Sequence, residues 1–210
     1  MLNKKKKTKR SLESLKGSAQ EKLERYTTQT FGYAFNTYDC LGEVSAPISP
    51  ADVLMANLLS LKLSAPEVIP LFAEGDGPAP RLRKALDKAL IDLSNAENLE
   101  SYEDVYQLEF AVESLAAANS AALDVRGWTA ITVSKVLHRR RPHIVPLIDS
   151  RVYGFYGTKY PAEVRASLRE DIRANSHWLT DLAGTTVTPD GRPLSPLRLA
   201  DILIWTPAQS

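Results

Sequence analysis

LDVRGWTAITVSKVLHRRRPHIVPLIDSRV, residues 123–152, decides how the rest of the chain is read. Gly127 marks a turn. From Ala130 to about Arg140 the residues keep helical spacing, with Ala130, Val133 and Leu137 on an apolar line and Thr132, Lys135 and Arg139 on a polar one. Pro142 stops that helix, because it lacks an N–H and its ring clashes with the preceding turn. Ile144 to Ile148 is an apolar link holding Pro146, too short for a helix. Asp149 then stands where a new helix begins, and its short carboxylate suits an N-cap. A glycine turn between helices, a link and a further helix predict an all-α domain.

Working outward, the same grammar repeats. Ser49-Pro50-Ala51-Asp52 predicts a helix start, with Ser49 as cap, Pro50 in the first turn and Asp52 completing a capping box. Leu82, Ala85, Leu86, Ala89, Leu90 and Leu93 recur at i, i+3, i+4 and i+7, the stripe of an amphipathic helix. Ser101 to Asp104 caps another, with Val105, Leu108, Val112 and Leu115 inward. Val164 through Leu182 predicts one longer helix. Ser195-Pro196 opens the last, with Leu199, Ile202, Leu203 and Trp205 on its core face. Phe31, Tyr33 and Phe35 alternate with smaller residues, which fits a short extended stretch or an aromatic loop. Thr188-Pro189-Asp190-Gly191 is a tight turn. The expectation is a compact domain of six to eight helices with little or no sheet. Residues 1–25 read as a basic flexible tail with a possible leading helix, and residues 26–210 as a single helical domain.

The chain has 210 residues, 44% of them hydrophobic and 24% charged, an ordinary globular composition that excludes a disordered or collagen-like chain. No apolar run approaches the roughly 20 residues of a membrane helix, and no apolar stretch follows the basic start as in a signal peptide. With the single cysteine Cys40, this points to a reducing cytoplasm and no membrane partner. The formal net charge of +1 hides an asymmetry. Lys4 to Lys7, Lys9 and Arg10 form a basic start, and the remainder is acidic overall. Within that acidic remainder, residues 126–159 carry Arg126, Lys135, Arg139, Arg140, Arg141, Arg151 and Lys159 against Asp149 alone. Such a patch attracts polyanions, DNA first among them.

Asp149 has two readings: a partly buried carboxylate poised to act on a substrate, or an N-cap. Arg139, Arg140 and Arg141 are either a phosphate-contacting patch or cations at a helix C-terminus, with a carboxylate of the acidic body as a further partner for at least one of them. Lys135, one turn from Arg139, joins that patch or is solvated. His138, His143 and His177 meet no Cys or carboxylate at metal spacing, so no metal and no other cofactor is expected. Trp128 and Trp178 are read as core residues with base stacking as the alternative, and Trp205 as core. No P-loop, dinucleotide-binding glycine pattern or Gly-x-Ser-x-Gly occurs.

The 123–152 stretch resembles the helix-hairpin-helix DNA glycosylase superfamily, whose Leu-Pro-Gly-Val-Gly turn precedes a Val-Asp-x-x-Val segment. The resemblance implies that Asp149 is the catalytic carboxylate, that Val152 matches the following valine and that Gly127 is the first turn glycine. Thr129 stands at the second glycine, Trp128 at the apolar hairpin position, and Ile131 where bifunctional members carry a nucleophilic lysine. A monofunctional base-excision enzyme without lyase activity is thus what it implies. Arg126, Gly127, Lys135, Arg139, Arg140 and Arg141 are the expected DNA contacts. The alternative is a non-enzymatic helical interaction protein whose partner is unknown. The chain also resembles an uncharacterised actinobacterial family classed as a domain of unknown function. That likeness rests on Ser134-Lys135-Val136-Leu137, Arg139 to Pro142, Pro146 to Ser150 and Leu197-Arg198-x-x-Asp201-x-x-x-Trp205.

Overall fold

The computed structural model describes residues 10–40 and 45–207, and the Lys-rich start lies outside them except for Arg10. Among the described residues the chain is all-α, with twelve α-helices and several 3-10 turns. They are α1 Ala19–Thr27, α2 Phe35–Tyr38, α3 Pro50–Met55, α4 Ala65–Val68, α5 Pro78–Asp92 and α6 Val105–Ala111, followed by α7 Glu113–Ala122, α8 Ala130–His138, α9 Ser150–Tyr156, α10 Pro161–Ala174, α11 Ser176–Gly184 and α12 Pro196–Trp205. An isolated antiparallel bridge, Val187 to Pro193, closes the Thr188–Gly191 turn. None of these helices is long and apolar enough to cross a membrane.

The count exceeds the expected six to eight for local reasons. The Phe31–Phe35 stretch is not extended. A 3-10 turn, Gln29–Phe31, and the single helical turn α2 form an aromatic loop instead. The long helix expected over 164–182 breaks at Asn175, whose side-chain amide donates to the Asp171 carbonyl and thereby competes with the ladder. Val112 similarly separates α6 from α7.

The start signals behave as their chemistry requires. Ser49 Oγ accepts the Asp52 N–H at 3.2 Å and Asp52 Oδ2 accepts the Ser49 N–H at 3.0 Å, a reciprocal box. Ser195 Oγ accepts the Arg198 N–H at 3.1 Å and donates to the Pro142 carbonyl at 2.8 Å, so α12 is capped and tied to the end of the central segment. In α5, Leu82, Leu86, Ala89 and Leu90 are buried and pack on α7. Leu12 and Leu23 are buried in the same core, which joins residues 12–27 to the helices that follow.

α8 sits at the centre. Every residue from Thr132 to His138 is buried, including the line expected to face solvent. α5 and α7 and the 3-10 turn Ala56–Leu59 pack around it, which leaves no outward face. α12 is the second interior helix. Leu197 to Leu203 are all buried, Arg198 and Asp201 among them. The polar groups of these two helices meet where the start of α9 reaches them, and that junction is the candidate site.

Candidate functional site

A cavity of about 290 Å³ opens at this junction. Asp149, the N-cap of α9, lines it. Its Oδ1 accepts the N–H groups of Arg151 at 2.9 Å and Val152 at 3.2 Å, and its Oδ2 faces Lys135 Nζ at 3.9 Å. Lys135 reaches this point from the interior of α8. Its ammonium donates to the Leu59 carbonyl at 2.7 Å, at the end of a 3-10 turn that Ser60 closes in a left-handed conformation (φ 66°). Burial lowers the pKa of Lys135, and the Asp149 carboxylate opposes that shift.

Asp201 also lines the cavity. Its Oδ2 accepts the Leu147 N–H at 3.3 Å and lies 3.7 Å from His138 Nδ1, while Oδ1 has no partner among the described residues. Burial pushes its carboxyl well above the usual range. Arg198 opposes this, but its guanidinium is held by both oxygens of Asp39, at 2.6 and 2.8 Å, and by the Tyr26 hydroxyl. His138, fully buried, is pushed well below its ordinary pKa by desolvation and then by Arg198, and its Nδ1 hydrogen-bonds the Val145 carbonyl.

The walls are aromatic. Tyr26 stacks on Tyr33 at 5.1 Å, and Tyr33 meets Trp205 edge-on at 5.6 Å. Trp205 therefore packs against the core and also walls the cavity, more than the core role read from its spacing. Two guanidinium groups cover the walls: Arg151 lies 4.6 Å over the Trp205 ring, and Arg25 lies 5.5 Å over Phe31, which is 53% exposed.

Lys135 and Asp149 are thus brought together, and the other expected contacts lie elsewhere. Arg126 is 86% exposed on the turn between α7 and α8, 4.0 Å from Glu67. Gly127 beside it adopts φ 77°, and a Cβ there would stand 2.4 Å from Glu67 Cγ. Trp128 is core, its Nε1 donating to the Glu67 carbonyl at 3.0 Å. Trp178 is core too. Arg139 donates to Asp52 at 2.8 Å and to the Cys40 carbonyl. Arg140 and Arg141 are 2% and 4% exposed. The first donates to the Ala46 carbonyl and lies 3.6 Å from Asp52; the second gives Nε and Nη2 to the Leu90 carbonyl at 3.1 and 2.7 Å. They border a separate cavity of about 450 Å³ with His138, His143 and Arg192. No group of three or more His, Cys, Asp or Glu among the described residues is placed to hold a metal ion.

The sequence reading counts Arg151 in the basic stretch without making it a site residue, and it misses Asp201, Tyr33 and Arg25 as parts of a site. A signal existed for α12. Arg198, Asp201 and Trp205 recur at i, i+3 and i+7 in an otherwise apolar helix, so one face gathers two buried charges and an indole. Neither a curated protein nor a solved structure matches the chain. One family model does, over residues 19–208, and it spans Lys135, Asp149, Asp201 and Trp205 alike: the chain belongs to a family of unknown function, DUF6308.

Proposed function

We propose that the aromatic cavity receives a base turned out of DNA, and that the protein is a DNA-binding protein of helix-hairpin-helix glycosylase-like type. The observation that carries this reading is Asp149. One carboxylate oxygen caps α9, the other faces Lys135, and Asp149 lines a cavity whose walls include Tyr33, Phe31 and Trp205. At about 290 Å³ the space sits at the small end of ligand pockets. It suits one planar ring system, and extrahelical bases are held by stacking on aromatic faces and by hydrogen bonds at their edges. As a monofunctional excision enzyme, the protein would hydrolyse an N-glycosidic bond. The C1′–N bond breaks with its electron pair leaving on the base, and water adds to C1′ and yields its proton. Asp149 would face the positive charge that develops on the sugar.

In this reading the phosphate contacts are Arg126 on the turn before α8, and Arg25 and Arg151 over the cavity-lining rings of Phe31 and Trp205. Arg139, Arg140 and Arg141 act as struts, since their donors already bind Asp52 and backbone carbonyls. One observation favours the non-enzymatic alternative: Lys135 bridges Leu59 to Asp149, so the pair also staples a 3-10 turn to the start of α9.

The test uses the full chain and duplex DNA with 2-aminopurine at a mismatch. Eversion into the cavity should change the probe's fluorescence. Arg25→Ala and Arg151→Ala should each flatten the log–log salt slope of binding by about 0.9. Duplexes carrying a panel of damaged bases are then scored for alkali-labile sites with the wild type and Asp149→Asn. No fluorescence change, with slopes untouched by either arginine, overturns the reading.

A further inference from the structure

The larger cavity beside α8, about 450 Å³, has Asp39 as its one lining carboxylate, and Arg198 takes up both of that group's oxygens. Five guanidinium groups and two imidazoles line the same space. Asp52 faces Arg139 and Arg140, and Asp190 faces Arg192. Arg141 differs: its donors reach the neutral carbonyls of Leu90 and Arg140, and no carboxylate among the described residues pairs with it. A buried cation held by neutral acceptors keeps its charge uncompensated. A cavity lined by one sign of charge focuses that field on whatever enters it.

The open side of the cavity holds polar groups that the fold has not used. Arg192 is the first, with 31% of its side chain exposed. Its Nε donates to Asp190 at 3.0 Å and its Nη2 to the Asp39 carbonyl at 2.8 Å, so the guanidinium plane is fixed, while Nη1 has no partner among the described residues. Thr188 steadies the turn beneath it. The Thr188 N–H donates to the Arg192 carbonyl at 2.8 Å, and Thr188 Oγ1 accepts the Arg192 N–H at 3.1 Å. His143 is the second, half-buried in the link after α8. Its Nε2 donates to the Ala96 carbonyl at 3.1 Å, which leaves Nδ1 unengaged. Asn98 is the third, exposed, with a side-chain amide that bonds to no described residue. The Leu99 N–H donates to the His143 carbonyl at 2.9 Å and ties the Asn98 turn to that link. Three unspent groups from three stretches of chain thus line a cavity with an uncompensated cation in its wall.

We infer that this cavity is a second binding site, built for a phosphate group, with Arg192 and Asn98 donating to its oxygens, His143 beside them and Arg141 supplying charge from the wall. The guanidinium edge left on Arg192 matches an oxyanion in shape as well as in charge. His143 serves either protonation state of the phosphate: neutral Nδ1 accepts the O–H of a monoanion, and a protonated ring donates to a dianion. The cavity lies within the roughly 300–1,000 Å³ of small-molecule pockets and exceeds a lone phosphate, so it also has room for the group that carries the phosphate. Two sources supply this chemistry, a small phosphate monoester and the backbone of DNA. The site is separate from the aromatic cavity and stands without the base-receiving reading.

The experiment is calorimetric titration of the full chain with inorganic phosphate, at low ionic strength and in a buffer free of other oxyanions. Arg192→Ala should weaken binding about tenfold or more. Arg192→Lys keeps the charge without the planar fork and should weaken it about threefold. Lys84→Ala removes an equal charge from the exposed surface of α5 and should leave binding unchanged. If the Arg192 variants fail to fold, the wild type still decides: phosphate should shift the proton NMR signals of the His143 ring and leave those of His177, exposed on α11, in place. Glycerol phosphate and duplex DNA separate the two sources. A monoester that binds more tightly than phosphate, with the salt slope of DNA binding unaltered by Arg192→Ala, assigns a small molecule. A slope flattened by about 0.9 assigns the DNA backbone. No binding of phosphate, an affinity that Arg192→Ala leaves unchanged or that Lys84→Ala lowers equally, or a His143 ring that phosphate leaves unmoved overturns the inference. None of these results bears on the 2-aminopurine test of the aromatic cavity.

Discussion

Two cavities adjoin α8, and the positive charge around them is placed differently. In the larger one, bordered by Arg139, Arg140 and Arg141, the guanidinium donors close on the protein's own acceptors: Asp52 and the carbonyls of Cys40, Ala46 and Leu90. Beside the smaller one, Arg25 and Arg151 lie over the Phe31 and Trp205 rings, and Arg151 also donates to the Trp205 carbonyl. The first set gathers carbonyls from three separate stretches and clamps them to the end of α8. The second presents cationic edges beside a cavity. A run of like charge in sequence is therefore internal scaffolding here, and the guanidinium groups stacked on cavity-lining rings come from two arginines far apart in sequence. A buried cation must find acceptors, and the richest supply inside a helical protein is the carbonyls of turns and helix ends.

The largest expected effect lies where scaffolding is deepest. Asp39→Ala removes the bidentate partner of Arg198 and leaves a buried guanidinium with the Tyr26 hydroxyl alone. Breaking such a pair from one side costs about 3–5 kcal/mol, which urea unfolding would read as a large fall in midpoint. The pair Arg141→Ala and Arg151→Ala tests the contrast directly. Arg141→Ala should cost about 2 kcal/mol, since the Leu90 carbonyl loses two donors, and should leave the salt slope of DNA binding unchanged. Arg151→Ala should cost about 1 kcal/mol, since this exposed side chain loses its bond to the Trp205 carbonyl and its stacking on that ring, and should flatten the slope by about 0.9. A reversal of those two outcomes would destroy the comparison.

Gly127→Ala comes next. The left-handed backbone costs a non-glycine residue roughly 1–2 kcal/mol. The new Cβ would also press on Glu67 Cγ at 2.4 Å. Glu67 completes the cap of α4 by accepting the Ser64 N–H at 3.0 Å, so the strain reaches a second helix. A melting temperature lowered by several degrees, with the fluorescence response of the 2-aminopurine duplex unchanged, would place the turn on the scaffold side of the contrast.

Local chemistry was legible in the sequence, and long-range pairing was not. The cap at Asp149, the box at Ser49 and Asp52 and the stripe of α5 follow from residues within a turn or two of one another. The fate of the arginine run depends on acceptors many residues away: Leu90 is 51 positions from Arg141, and Ala46 is 94 from Arg140. The polar line of α8 assigns Lys135 to a surface patch or to solvent, yet that line meets the turn ending at Leu59, 76 positions earlier. The aromatic cavity is assembled from Tyr33 near one end of the chain and Trp205 near the other. Helical periodicity reports which face of a helix is apolar. It is silent about which polar face the fold will bury.

The smallest change in stability should accompany the sharpest change in function. Asn caps helices about as well as Asp, because its side-chain oxygen accepts the same N–H groups. Asp149→Asn should therefore keep the bonds from Arg151 and Val152 and shift unfolding by no more than about 0.5 kcal/mol. Asp149→Ala loses the cap and should cost about 1 kcal/mol. What Asn removes is the charge on Oδ2. Lys135 then loses the group that opposes its desolvation, so its pKa falls further, and nothing in the cavity answers positive charge on a bound sugar. If the cavity excises bases, Asp149→Asn should slow base release on the order of 10²–10³-fold while DNA binding persists. If base release is the same in the wild type and Asp149→Asn, and only Asp149→Ala weakens the protein, then Asp149 is a cap and nothing more. The smaller cavity would then be scaffolding like the arginine clamp at the larger one, with Lys135 and Asp149 stapling a turn to a helix.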